Sequence, residues 1–146
     1  MNFKHSETGA FFISGGENVI KVKSNFIINR SRMKELTSAA VVSLEQTGEA
    51  LHTEVVQAQV MPRDTGALQN ESTYVDKSES SMGKVSIVSS APYARRLYFH
   101  PEYNFSRDEN IAAGGKWFDP WLPGGTREDF CGKAFARLYR RNAGLN

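Results

Sequence analysis

Residues 31–62 read SRMKELTSAAVVSLEQTGEALHTEVVQAQVMP. Met33, Leu36, Ala40, Leu44, Leu51, Val55 and Ala58 recur there at the spacing of one helix face, which predicts a single long helix from Ser31 to about residue 60. Glu45, Glu49 and Glu54 lie off that row and belong to the solvated side. Gly48 disfavours the helix by up to about 1 kcal/mol relative to Ala and marks a weak point in it. Pro62 ends the helix, because proline lacks an N–H and its ring drives Met61 out of the helical region.

Upstream, Ile20, Val22, Phe26 and Ile28 share one parity, so Asn18 to Ile28 is expected to form one or two strands. Residues 1–17 read as an N-terminal arm, with Phe11-Phe12-Ile13 ahead of a Ser14-Gly15-Gly16 turn. Downstream, Gln69 to Asp76 and Lys84 to Ser90 predict an antiparallel hairpin around the polar loop Lys77-Ser78-Glu79-Ser80-Ser81-Met82-Gly83. A helical turn or two is expected from Tyr93 to His100, then an irregular stretch to about Gly125. A terminal helix follows. Thr126 and Asp129 suggest a variant capping box at its start, and Phe130/Ala134/Leu138 with Cys131/Phe135/Tyr139 form its apolar stripe. The expected fold class is α+β. One antiparallel sheet packs on the long helix, with a C-terminal helix and a long aromatic-rich loop, and residues 18–146 make a single domain.

Hydrophobic residues make up 40% and charged residues 23%, a globular rather than disordered composition. The formal net charge of +2 is too small to argue nucleic-acid binding by itself. One cysteine, Cys131, allows no internal disulfide and suits a reducing compartment. The first seven residues lack the apolar core of a signal peptide, and no apolar run approaches the roughly 20 residues needed to span a bilayer. The Asn-x-Ser sequons at Asn29, Asn70 and Asn104 therefore read as chance. A soluble protein made in a cytoplasm is expected.

Asp64-Thr65-Gly66 is the tripeptide that carries the catalytic carboxylate of aspartic proteases, which need two such groups sharing a proton. It should then follow a buried apolar strand, whereas Met61-Pro62-Arg63 precede it at a helix exit. The structural reading is favoured: a turn over Pro62, Asp64, Thr65, Gly66 and Leu68. In it Asp64 accepts backbone N–H bonds, Gly66 takes a positive φ and Leu68 re-enters the core. His5, His52 and His100 have no ligand-spaced partners. Cys131, on the apolar stripe, reads as a buried thiol. Gly114-Gly115-Lys116 and Gly124-Gly125-Thr126 lack the full spacing of a phosphate loop. Lys133, Arg137, Arg140 and Arg141 are candidate phosphate contacts, against the plainer reading of a solvated face with cations favouring the helix C-terminus.

The stretch from Tyr93 to Trp121 holds both tryptophans of the chain, three of its five tyrosines and three of its nine phenylalanines. Such density marks an interface anchor or core filler. Tyr93, Arg95, Arg96, Tyr98, Phe99, Trp117, Phe118 and Trp121 are taken as the candidate interface, with Arg95 and Arg96 placed to meet carboxylates on a neighbour. In the alternative, Tyr93, Leu97, Trp117 and Phe118 cap the sheet of their own subunit.

Pro62-Arg63-Asp64-Thr65-Gly66-Ala67-Leu68 resembles the P-x-D-T-G-x-L signature of tailed-bacteriophage minor capsid and tail-completion proteins. That signature also follows a long helix and precedes a β-hairpin. Ala91-Pro92-Tyr93-Ala94-Arg95-Arg96-Leu97-Tyr98-Phe99 is similar to the family's P-Y-A-R-R-L-Y-Y segment. Ala112, Gly115, Lys116, Trp117 and Phe118 then resemble its N-x-x-A-x-x-K-W-F element, so the order holds across residues 62 to 118. The resemblance implies an α+β subunit of the phage neck, a homo-oligomeric ring of six or twelve copies. It would join portal or connector to tail-terminator or tail-tube proteins, in the virion, with no active site, no cofactor and no membrane. Contact with genomic double-stranded DNA is at most non-specific. A DNA-binding packaging or tail factor is the alternative reading, and the aspartic protease a more distant one.

Overall fold

A computed structural model describes residues 6–13 and 20–145. Two units divide the chain, Met1–Leu36 and Thr37–Asn146. In the first, β1 (Ser6–Ile13) pairs antiparallel with β2 (Ile20–Ile27), in a register running from Ser6 opposite Ile27 to Ile13 opposite Ile20. Residues 6–13, expected within an arm, are thus one side of a hairpin. The Ser14-Gly15-Gly16 turn lies outside the described residues.

The long helix α1 spans Arg30–Gln57. Asn29 caps it, its Oδ1 accepting the Arg32 N–H at 2.9 Å. At the other end the helix stops before Pro62 is reached. Gln59 turns to a φ of 54°, and Met61 is drawn into the core with none of its surface exposed. Burial of a Met side chain is worth about 1.5–3 kcal/mol, enough to hold this exit.

The buried row of α1 is Ala39, Ser43, Thr47 and Val55, with Leu51 half-buried between the last two. Of the expected row, Leu51 and Val55 lie on it, whereas Met33 is exposed. Helix α3 (Phe130–Asn142) runs antiparallel to α1: Arg127, just before it, pairs with Glu54 at 2.6 Å, and Asn142, its last residue, donates to Ser43 Oγ at 2.9 Å and Gln46 Oε1 at 3.0 Å. The buried hydroxyls keep their hydrogen bonds, Ser43 to the Ala39 carbonyl and Thr47 to the Ser43 carbonyl, so their burial carries little penalty. The expected capping box does not form. Asp129 makes no side-chain bond to the helix backbone and pairs with Lys133 at 3.2 Å, while Thr126 stands in the preceding turns.

Strands β3 (Thr73–Asp76) and β4 (Ser86–Ser89) form a second antiparallel pair, with Val75 opposite Ile87. Residues 69–71, expected to extend that strand, instead belong to a π-helical turn, Ala67–Glu71. The hairpin packs on α1 at Gly48. A Cβ there would stand 2.7 Å from Val85 Cγ1 and 2.9 Å from Val75 Cγ1, so the residue read as a helix weak point leaves room for two valines of the hairpin. Lys77 and Glu49 bridge hairpin and helix at 2.6 Å. The fold class is α+β, as expected, with a long helix, a C-terminal helix and two separate two-stranded sheets among the described residues. No helix among these residues is long and apolar enough to cross a membrane.

Candidate functional site

Where α1 ends, the chain makes the turn that the sequence singled out. Gly66 adopts a φ of 87°, a left-handed conformation that a Cβ would strain, and Leu68 re-enters the core. Asp64 does not do what was expected of it. Its carboxylate is exposed and accepts no hydrogen bond among the described residues; the side-chain bond in this turn comes from Thr65, whose Oγ1 accepts the Ala67 N–H at 3.4 Å. No strand leads into Asp64-Thr65-Gly66, and a π-helical turn follows it.

The turn forms one wall of a cleft of about 430 Å³. Pro62, Leu68, Tyr93, Leu97 and Phe105 supply its apolar surface, and Asp64 stands among its polar groups. Arg63 also lines it, but pairs with Glu109 at 3.6 Å. Tyr93 and Leu97 come from the start and middle of α2 (Ala94–Phe99), four residues apart on one side of that helix.

Asn110 and Lys116 fasten the later loop to this site. Asn110, 1% exposed, donates from Nδ2 to the Met61 carbonyl and to Gln69 Oε1, each at 2.8 Å. The Lys116 N–H donates to the Tyr98 carbonyl at 2.9 Å. Sequence reading missed Asn110 and Gln69. Both are ordinary polar residues by type, and nothing in one sequence marks them as buried.

The eight candidate interface residues separate into two groups. Trp117 and Trp121 are 3% and 7% exposed and belong to the core with Val55, Met61, Leu68, Ala91 and Ala94; Tyr98 and Phe118 pack against it half-buried. The two tryptophans are therefore withdrawn from the interface set: their area is already buried within their own chain, so none of it is left to bury against a neighbour. Tyr98 meets Trp117 edge-on at 4.9 Å and donates from its hydroxyl to Asp119 Oδ1 at 2.9 Å. Burial, and then the carboxylate of Asp119, push the Tyr98 pKa up to about 12. Arg127 lies over Trp121, 5.4 Å from the ring.

Tyr93, Arg95, Arg96 and Phe99 remain exposed. Arg96 donates to the Tyr103 hydroxyl at 3.2 Å and lies over that ring, so it is held within its own chain. Arg95 lies over the Phe99 ring, 6.0 Å from its centroid, and has no carboxylate partner among the described residues.

Lys133, Arg137, Arg140 and Arg141 are all exposed along α3, with Lys133 paired to Asp129 and Arg141 donating to Gln46 at 3.3 Å. Cys131 is half-buried beside a second, apolar cleft lined by Leu44, Leu51, Ile87, Phe118 and Trp121; burial raises its pKa, which disfavours the thiolate. His100 pairs with Glu102 at 2.7 Å and stacks on Tyr103. His5 lies outside the described residues. Among those described, no three His, Cys, Asp or Glu side chains are grouped to hold a metal ion. No protein-family model, no curated protein and no solved structure matches this chain.

Proposed function

We propose that the chain is a structural subunit of the neck of a tailed bacteriophage, a homo-oligomeric ring between head and tail, and not an enzyme. One observation carries the reading. The segments that resemble the minor capsid and tail-completion proteins are separated in sequence but meet at one place: Pro62–Leu68 and Tyr93–Phe105 line the same cleft. The Lys116 N–H ties the third segment to the Tyr98 carbonyl, and Asn110, just ahead of it, donates to the Met61 carbonyl next to the first. A motif set that converges on one surface suits recognition of another protein, and the exposed Tyr93 that lines it is a residue type that anchors such contacts. In this reading the ring has six or twelve copies and meets portal or connector on one side and tail-terminator or tail-tube proteins on the other.

Disrupting the gene in a producing phage tests it. DNA-filled heads that fail to join tails are expected, with antibody label on wild-type particles at the head–tail junction. Normal tailed particles from the disrupted phage would overturn the reading.

A second reading has one observation in its favour, the four exposed cations along α3. It gives the ring a non-specific grip on double-stranded DNA, which falls steeply as salt rises. A footprint on one defined sequence at physiological salt would contradict it.

A further inference from the structure

Asp64 contributes no bond to the turn in which it sits. Its carboxylate stands at a cleft with apolar walls, and Arg63, a cation lining that cleft, is already taken by Glu109. A carboxylate so placed lacks a cation. Arg95 lacks an anion. It lies with Phe99 on α2, four residues apart, as Tyr93 and Leu97 are on the cleft side. At about 100° per residue, the Arg95/Phe99 pair is turned roughly 200° from the Tyr93/Leu97 pair. Phe99 is 61% exposed, a large apolar ring left bare beside a charge.

From this juxtaposition we infer that the cleft of one copy receives Arg95 and Phe99 of a second copy, with Arg95 pairing to Asp64. The inference rests on the reading of the chain as a ring subunit and names the contact between its copies. Socket and plug lie on opposite sides of the same short helix, so one subunit cannot use both on the same neighbour. The contact is heterologous, head to tail, and such contacts generate a ring when the rotation closes. Phe99 supplies apolar area to the Tyr93, Leu97 and Phe105 wall. Arg95 supplies the charge, and a guanidinium–carboxylate pair at an apolar wall gains more than one in open water.

Charge reversal in the full chain tests the contact by analytical ultracentrifugation. Asp64→Arg and Arg95→Asp should each weaken self-association at least about tenfold, and the double variant should recover most of it, because the pair is restored with its polarity exchanged. Both positions are exposed, so circular dichroism and melting temperature should stay at wild-type values and separate lost association from lost fold. Phe99→Ser, which leaves every charge in place, should weaken association as well. Single reversals that assemble like wild type overturn the contact and leave the ring reading standing, as does a double variant that stays folded but fails to recover. A wild type that remains monomeric at every concentration overturns the contact, and one that is also missing from virions overturns the ring reading with it.

Discussion

Trp117 and Phe99 belong to one aromatic-rich stretch and have the same kind of side chain, yet one is 3% exposed and the other 61%. The difference lies in what reaches them. Trp117 is met by Tyr98 edge-on, lies near Phe118 and joins the cluster around Met61, whereas Phe99 has Tyr98 at one edge and Arg95 over its face. Aromatic density is thus two signals in one: its second half builds this chain's core, and its first half leaves a surface. Composition cannot separate them, because the burial of a ring depends on the elements that pack around it.

The comparison breaks most visibly at Trp117. Trp117→Ala should cost about 3–5 kcal/mol of unfolding free energy, measured by urea denaturation, as expected for an emptied core site. A loss near zero would return Trp117 to the surface set. Asn110→Ala should cost about 1–3 kcal/mol, since it removes the donor to the Met61 carbonyl and to Gln69 in a buried setting. If the variant melts with wild type, the loop is held by its rings alone.

Tyr98 sits at the seam between the halves, and its pKa sharpens the comparison. Folding raises it from 10.0 to about 12, so the neutral phenol is the form the fold favours. Its contribution to stability is therefore fully present below pH 10 and is lost as pH rises through about 12, because the unfolded chain gives up this proton first. Titration of tyrosine absorbance, with Tyr98→Phe as control, should show one late-titrating phenol that the substitution removes. Loss of that phenol from the main titration step, with the late step unchanged, would place Tyr98 with the exposed ring. The smallest effects belong to the surface side. Phe99→Ser and Asp64→Ala should each change monomer stability by no more than about 0.5 kcal/mol, the usual range for exposed positions without a structural bond. A loss of 0.5–2 kcal/mol at Asp64, the range of a lost capping bond, would restore it to the turn.

Much of the fold was legible because it follows from local chemistry. The apolar spacing in residues 31–60 announced α1, the run from Lys84 to Ser90 after a polar loop announced β4, and the stripe from Phe130 to Tyr139 announced α3. The turn at Gly66 was visible for the same reason: glycine is the residue that takes a positive φ freely. The errors have a common cause. Asp64 was read as a turn acceptor and Thr126/Asp129 as a capping box, since side-chain type permits both; which group accepts depends on tenths of an ångström that only the folded backbone sets. Gly48 looked like a defect of the helix until Val75 and Val85 were brought against it.

By itself, then, the sequence determined the α+β class, the helices, the second hairpin and the turn at Gly66, because helix spacing, strand alternation and turn residues act over a few neighbours along the chain. Only the tertiary structure decided that Ser43 and Thr47 are buried, that Asn110 reaches the Met61 carbonyl, and that Trp117 and Trp121 face inward while Arg95 and Phe99 face out. Those outcomes rest on contacts between residues far apart in sequence, such as Asn110 with Met61 and Asn142 with Ser43, and no local pattern records which distant surface will arrive.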